Sequence, residues 1–89
     1  SIDVTDEMAT NVKKKCTLTI DDEHKVTVKK GYGLKAKEIV IEGEDQITFK
    51  CGSAELILKK NGDISVKGAN INLKADSDIV MKGGKVAAN

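Results

Sequence analysis

The sequence predicts an all-β fold: an intertwined trimer in which short strands with a roughly eight-residue repeat form a triple-stranded parallel β-helix. Three observations predict it. Apolar residues come in pairs separated by one residue, the pairs recur at nearly constant intervals, and turn formers and charges lie between them. A spacing of two is the strand period, which places both members of a pair on one face. The helical spacings of three and four do not organise the pattern.

The apolar pairs run along most of the chain. Their first members are seven to nine residues apart at every step but one, where the step is five. Val86 opens a tenth pair with Ala88. The nine complete pairs are Leu18/Ile20, Val26/Val28, Leu34/Ala36, Ile39/Ile41, Ile47/Phe49, Leu56/Leu58, Ile64/Val66, Ile71/Leu73 and Ile79/Met81.

The residues between the pairs are typical of corners. Gly and Asn accept the positive φ that tight corners need, and Pro is absent, which leaves every backbone N–H available for strand pairing. We therefore expect about ten short strands joined by corners of two to five residues. The predicted corners include 21–23, 30–31, 43–45, 61–63, 68–70, 75–78 and 83–84.

Composition favours three chains over one. The chain has 89 residues, and Tyr32 and Phe49 are its only aromatic side chains, so a monomer would lack core area. A single-chain β-helix of this length would have about three coils and two uncapped ends. Three interleaved copies pair every strand and share one core. The predicted trimer core is Leu18, Ile20, Val26, Val28, Ile39, Ile41, Ile47, Phe49, Leu56, Leu58, Ile64, Val66, Ile71, Leu73, Ile79 and Met81.

The charge pattern argues against nucleic-acid binding. The net charge is +1, and all 15 basic residues are Lys, whereas readers of nucleic acid favour Arg for bidentate contacts. The one basic block, 13–15, faces the acids at 21–23. No apolar stretch has the length of a membrane span.

The second half of the sequence resembles a known family. The runs that carry the resemblance are Cys51-Gly-Ser-Ala-Glu-Leu-Ile-Leu58, Asn61-Gly-Asp-Ile-Ser-Val-Lys-Gly68, Ile71-Asn-Leu73 and Ile79-Val-Met-Lys-Gly-Gly-Lys-Val86. They resemble the C-terminal needle of VgrG proteins, the valine-glycine repeat spikes of type VI secretion systems. They are similar also to the needles of contractile phage tail spikes. The resemblance covers residues 51–89, and residues 12–50 share only the eight-residue rhythm.

The resemblance implies a function as well as a fold. It implies a homotrimeric puncturing needle, assembled in the bacterial cytoplasm and injected into a target envelope, whose membrane it meets transiently. It implies a PAAR-type tip protein or effector at the C-terminal end, where we expect binding by Gly83, Gly84, Val86 and Ala87. It also implies a tail-tube partner that binds through an N-terminal base not encoded here. Residues 1–17 are then a lead-in segment of a larger spike protein, and residues 18–89 are the needle.

One branch of the resembled family departs from this chain. Some phage spikes end in a His-x-His element that binds iron, but His24 is the sole histidine here and lies far from the C-terminus. We therefore expect a separate tip protein rather than a metal-bearing apex.

We expect no catalytic residue, no metal site and no cofactor. His24, in the corner formed by residues 22–25, is interpreted as a solvated corner residue rather than an acid, base or ligand. Cys16 and Cys51 are in phase with apolar neighbours, so we expect both thiols to face inward, unreactive and reduced. The chain is thus predicted not to be an enzyme.

Three weaker features have ordinary interpretations. The run Gly31-Tyr32-Gly33 lacks the third glycine and the helix of a phosphate-binding loop. Glu42, Glu44 and Asp45 suit outer corners better than a hydrolytic carboxylate pair. The short step at Leu34/Ala36 predicts a kink or a change of winding within residues 30–40.

Three other functions fit the same composition. A trimeric tail-fibre or adhesin shaft would share the fold and bind a receptor. A monomeric β-barrel would carry a ligand. A small β-helical domain would cleave polysaccharide. Mass in solution separates the trimers from the other two, and binding to a PAAR-type protein separates a needle from an adhesin.

Overall fold

The protein was analysed as a computed structural model that describes residues 2–88. The first residue of the expected lead-in segment and the last residue of the expected needle lie outside this range. By its internal contacts the chain divides into two units, one ending at Lys35 and the other beginning at Ala36. Within residues 2–88 all regular structure is strand, which confirms the all-β class. No helix in that range is long and apolar enough to cross a membrane.

The second unit contains a three-stranded antiparallel sheet. Strand β1 spans Gln46–Cys51, β2 spans Ala54–Lys59 and β3 spans Ile64–Lys67, in the order β1-β2-β3. The expectation of about ten strands is wrong for the single chain, which forms three within residues 2–88. The chain also reverses direction twice in this segment, where a path that winds in one direction was expected.

The first reversal is a two-residue hairpin at Gly52-Ser53. Cys51 pairs with Ala54, so these two residues are the whole loop. Gly52 has a φ of 56°, and no residue other than glycine has a positive φ within residues 2–88. Positive φ at the first loop position alone defines a type II′ turn, whose twist suits antiparallel strands.

The second reversal is a three-residue hairpin loop at residues 60–62. The Gly62 N–H donates to the Lys59 carbonyl at 3.0 Å, which closes a turn, and the Lys59 N–H donates to the Asp63 carbonyl at 3.0 Å. Gly62 has a φ of 97°, in the region that glycine favours. The Asn61 Oδ1 accepts from the Asp63 N–H at 3.1 Å and so stiffens the loop. The predicted corner at 61–63 is therefore a hairpin turn.

A glycine corner leads into the sheet, as predicted for residues 43–45. A Cβ atom at Gly43 would lie 2.8 Å from the Ile47 Cγ1 and 2.9 Å from the Gln46 carbonyl oxygen, so any larger residue would force a shift. The Lys60 N–H then donates to the Asp45 carbonyl at 3.1 Å, which extends the β1–β2 pairing by one step.

Outside the sheet the backbone bends at regular intervals. Before the sheet the bends lie at residues 5–6, 13–14, 21–22, 29–30, 37–38 and 44–45. After the sheet they lie at residues 69, 76–77 and 83–84. The first five bends are eight residues apart, and the next step is seven. The roughly eight-residue rhythm of the sequence thus appears as a rhythm of bends.

The kink or change of winding expected within residues 30–40 stays a prediction, and the boundary between the two units falls in that range. The bends at 29–30 and 37–38 keep the interval of eight residues. The position of the apolar pair within its segment changes here: Leu34/Ala36 lies at the end of one segment, and Ile39/Ile41 lies at the start of the next. Bends also lie on both sides of residue 17 at the same interval, and the boundary of the lead-in segment stays a prediction.

Candidate functional site

One face of the sheet is wholly apolar. In antiparallel strands, directly paired residues lie on the same face. One row across the strands is Phe49, Leu56 and Val66, and the neighbouring row is Ile47, Leu58 and Ile64. Cys51 and Ala54 extend the face at the hairpin end. We call these eight residues the apolar face.

The opposite face of the sheet is mostly polar. Its rows include Lys50 with Glu55 and Lys67, a cross-strand arrangement of opposite charges. The Gln46 Nε2 donates to the Thr48 Oγ1 at 3.0 Å on this face. Ile57 is the apolar exception and is half-buried. Because one face is charged and the other is apolar, the sheet has a solvent side and a side that needs cover.

The single chain does not supply that cover. No residue within 2–88 is buried, and Ile64 and Val66 on the apolar face are 68% and 60% exposed. The accessible surface of the chain is 10178 Å², whereas a typical folded monomer of this length exposes about 5,000 Å². Roughly half of the exposed surface is therefore in excess of what a folded monomer leaves open.

The exposed apolar residues continue beyond the sheet on both sides. They belong to the same Φ-x-Φ pairs that the sequence assigns to a trimer core. Ile47, Leu56 and Leu58 are half-buried, and the other thirteen assigned residues are exposed. The most exposed are Leu18 and Leu73, each at 71%. Their assignment to a trimer core stays a prediction.

An open groove of about 640 Å³ lies over one end of the apolar face. Its apolar lining comes from Phe49, Leu56 and Val66 of the sheet and from Ile71, in the segment that follows β3. Its polar and charged lining residues are Thr48, Lys50, Glu55, Lys67 and Asn70. The groove joins the apolar face to the first apolar pair after the sheet, so the two form a continuous surface.

The residues assigned to tip binding lie in the last described segment. Gly83 and Gly84 form the bend there, and Val86 is 58% exposed. A Cβ atom at Gly84 would meet nothing within 4 Å. The segment is thus accessible, and its role in binding a tip protein stays a prediction.

His24 lies outside the corner to which the sequence interpretation assigned it. The bend is at residues 21–22, so His24 follows it by two residues, in phase with Val26 and Val28. Met8, Cys16 and Tyr32 occupy the equivalent position of the other eight-residue segments. All four side chains are exposed in the single chain.

The two thiols are free and exposed. Cys51 belongs to the apolar face, where it pairs with Ala54, and Cys16 lies between the bends at 13–14 and 21–22. The expectation that both are shielded is therefore not met by one chain. Their phase with apolar neighbours is as expected, and shielding would require a partner.

The remaining candidate groups, Gly31-Tyr32-Gly33 and the carboxylates of Glu42, Glu44 and Asp45, are all exposed. Gly31 and Gly33 have open space where a side chain would begin, and Tyr32 is 68% exposed. The Asp45 carboxylate lies 3.9 Å from the Lys60 Nζ. Within the described range no group of three or more His, Cys, Asp or Glu side chains could hold a metal ion.

The chain was compared with protein-family models, curated proteins and solved structures, and nothing in these comparisons matches it. The features that bear on function are therefore the apolar face, the exposed apolar pairs and the spaced bends.

Proposed function

We propose that the chain is one of three identical chains in the puncturing needle of a type VI secretion spike, wound as a triple-stranded parallel β-helix. The needle transmits force and seats a PAAR-type tip protein or effector at its C-terminal end. It is assembled in the cytoplasm, joined to the tail tube through an N-terminal base, and injected into a target envelope. It performs no chemistry.

The excess exposed surface carries this proposal. An accessible area of 10178 Å² exceeds the typical value by about 5,000 Å². Obligate oligomers bury roughly 2,000–5,000 Å² or more in total at one interface. An excess of this size favours extensive contact with other chains, and identical chains offer the same apolar pairs at the same intervals.

The spaced bends support the winding path. Bends that recur every eight residues leave straight segments of equal length between them. Equal segments can be stacked around one axis, one segment per face, with strands of the two partners above and below. The apolar pairs then meet at the axis, and every segment finds hydrogen-bonding partners.

The sheet fits the needle as a local interruption of this path. Its apolar face carries no charge, so the same face of two further copies can cover it around the axis. Its charged face then remains in water, where it favours solubility. Residues 46–67 are in this arrangement a hairpin collar between two wound segments.

The mass of the purified chain tests the trimer. Sedimentation velocity on the full chain should give three times the mass of one chain. The variant Ile71→Asp should sediment as a single chain, because three carboxylates would be brought together near the axis. Asn72→Asp, one position along on the other face, is the matched control and should stay trimeric.

The exposure of Ile71 makes this comparison informative. Ile71 is 56% exposed in the single chain, so a charge there costs little unless partners cover the residue. A wild-type chain that sediments as a monomer at micromolar concentration would overturn the proposal.

Binding to a PAAR-type protein tests the needle against an adhesin shaft. Wild-type trimer should retain an immobilised PAAR-type protein. Deletion of residues 84–89 should abolish retention and leave the trimer intact, because the small residues of the last segment form the seat. Equal retention by both forms would contradict the assigned site, and a trimer without any retention would favour the adhesin.

A further inference from the structure

The charges at the bends alternate in sign through the first unit. The eight-residue bend spacing places charged residues at or just after each bend. Two acids are followed by three lysines, then by three acids and then by two lysines. We call these groups the corner charges; in order they are Asp6-Glu7, Lys13-Lys14-Lys15, Asp21-Asp22-Glu23 and Lys29-Lys30.

Successive corner charges do not pair within one chain. The ion pairs found within residues 2–88 are Lys25 Nζ with Glu23 Oε2 at 3.7 Å and Lys60 with Asp45. Six residues lie between consecutive bends, and a straight segment of that length spans about 20 Å. This exceeds the screening length of about 8 Å at physiological ionic strength. A single chain therefore draws little benefit from the alternation.

The proposed winding brings successive corner charges of different chains together. In this winding, each chain passes to the next face of the needle at every bend. One strand layer above any bend, the same corner of the needle is occupied by another chain, at the bend that comes next in its sequence. Layers are one strand spacing apart, about 4.8 Å. The bend at 13–14 of one protomer thus lies between the bend at 21–22 of one partner and the bend at 5–6 of the other.

From this arrangement we infer that the corner charges set the register between the three chains, through ion pairs between one copy and the next. This inference rests on the proposed trimer and adds its means of alignment. Within the first unit, the apolar pairs alone cannot align the chains, because a slip by one eight-residue segment again places apolar pairs beside apolar pairs. The same slip places lysines beside lysines and acids beside acids, which disfavours it.

A chain with every corner sign reversed separates this inference from contacts within one chain. The reversed chain keeps the alternation, so it should form trimers with itself and melt within about 5 °C of the wild type. With wild type, its lysines would meet lysines. The substitutions are Asp6→Lys, Glu7→Lys, Lys13→Asp, Lys14→Asp, Lys15→Asp, Asp21→Lys, Asp22→Lys, Glu23→Lys, Lys29→Asp and Lys30→Asp.

The readout is the composition of trimers formed when both chains are refolded together. One chain carries a mass tag, and native mass spectrometry counts the species. We expect mixed trimers about tenfold below their binomial share. Mixed trimers at the binomial share overturn the inference and leave the trimer proposal intact. Wild-type chains that fail to associate overturn both.

If the reversed chain fails to associate, a thermodynamic cycle with neutral substitutions tests whether the corner charges of different chains interact. Lys13→Gln with Lys14→Gln, and Asp21→Asn with Asp22→Asn, should each lower the melting temperature by about 5 °C. Combined, they should lower it by clearly less than the sum, and 1 M salt should abolish this difference.

The control cycle pairs the bend at 13–14 with the bend at 29–30. These two bends carry the same sign and are two layers apart in the proposed winding, so their neutral substitutions should be additive. Additivity in the first cycle, or equal coupling in both cycles, overturns the assignment of the corner charges.

Discussion

At the scale of single residues, two glycines decide where the chain reverses. Gly52 and Gly62 have φ values of 56° and 97°, a region in which residues with a Cβ atom are strained. A path that winds in one direction needs corners, whereas these residues give hairpin turns. Both positions have open space around them, so backbone conformation, rather than crowding, calls for glycine.

The substitution Gly62→Ala should therefore destabilise the protein by about 1–2 kcal/mol, because the Cβ atom of alanine is strained at positive φ. Gly31→Ala is the matched control: Gly31 also has open space around it, but its φ is not positive. Thermal unfolding of the two variants at equal chain concentration measures the difference. Equal melting temperatures would contradict the turn geometry.

The turn residues were only partly interpretable from the sequence. Residues 61–63 were correctly predicted to form a corner, and Asn-Gly is a strong hairpin signal. Gly52-Ser53 was missed, although glycine followed by serine between two apolar pairs is typical of a two-residue hairpin. The eight-residue rhythm favoured a winding path at both places, and local turn chemistry prevailed over it.

At the scale of elements, the sheet and the bent segments differ in where their hydrogen bonds can come from. Within residues 2–88, the backbone–backbone bonds between strands and at turns lie between Asp45 and Lys67. In the proposed trimer, the bent segments before and after the sheet find their strand pairing in the other chains. The sheet should therefore form first, because its contacts are local in sequence.

Hydrogen exchange should separate these two classes of element. In the trimer, amides of residues 15–20 and 23–28 should be protected along with those of the strands. On dilution, or in mild denaturant, the bent segments should lose protection before β1, β2 and β3. Mass spectrometry of peptides at two chain concentrations measures this order. Loss of protection in the sheet first would contradict it.

Which apolar residues share a face could be predicted from the sequence, but which strands pair could not. The spacing of two places Phe49 beside Ile47 and Leu56 beside Leu58 on a face, and the register confirms that they share one. The same alternation serves a strand that pairs with its own chain or with another. The choice between them depends on the turns, which the alternation does not encode.

At the scale of the whole molecule, the central observation is that the single chain leaves its apolar side chains exposed. Sixteen residues were assigned to a core, and none is buried in the single chain. The proposal supplies the cover with two further copies, so folding and association become one process.

Stability should for this reason depend on chain concentration. Raising the concentration a hundredfold should raise the melting temperature, because mass action favours the associated state. Calorimetry or circular dichroism over that range measures the shift, and refolding should slow on dilution. A melting temperature that does not change with concentration would indicate a self-sufficient monomer.

The even spacing of the first bends has a consequence for length variants. In the proposed needle, an insertion of eight residues among them would add one strand layer and preserve which side chains face inward, whereas an insertion of four or twelve residues would place a bend in the middle of a face. Charge signs, however, repeat only every sixteen residues. A duplicated stretch of sixteen should therefore be accommodated most easily, and the length of the proposed needle should change most readily in steps of two layers.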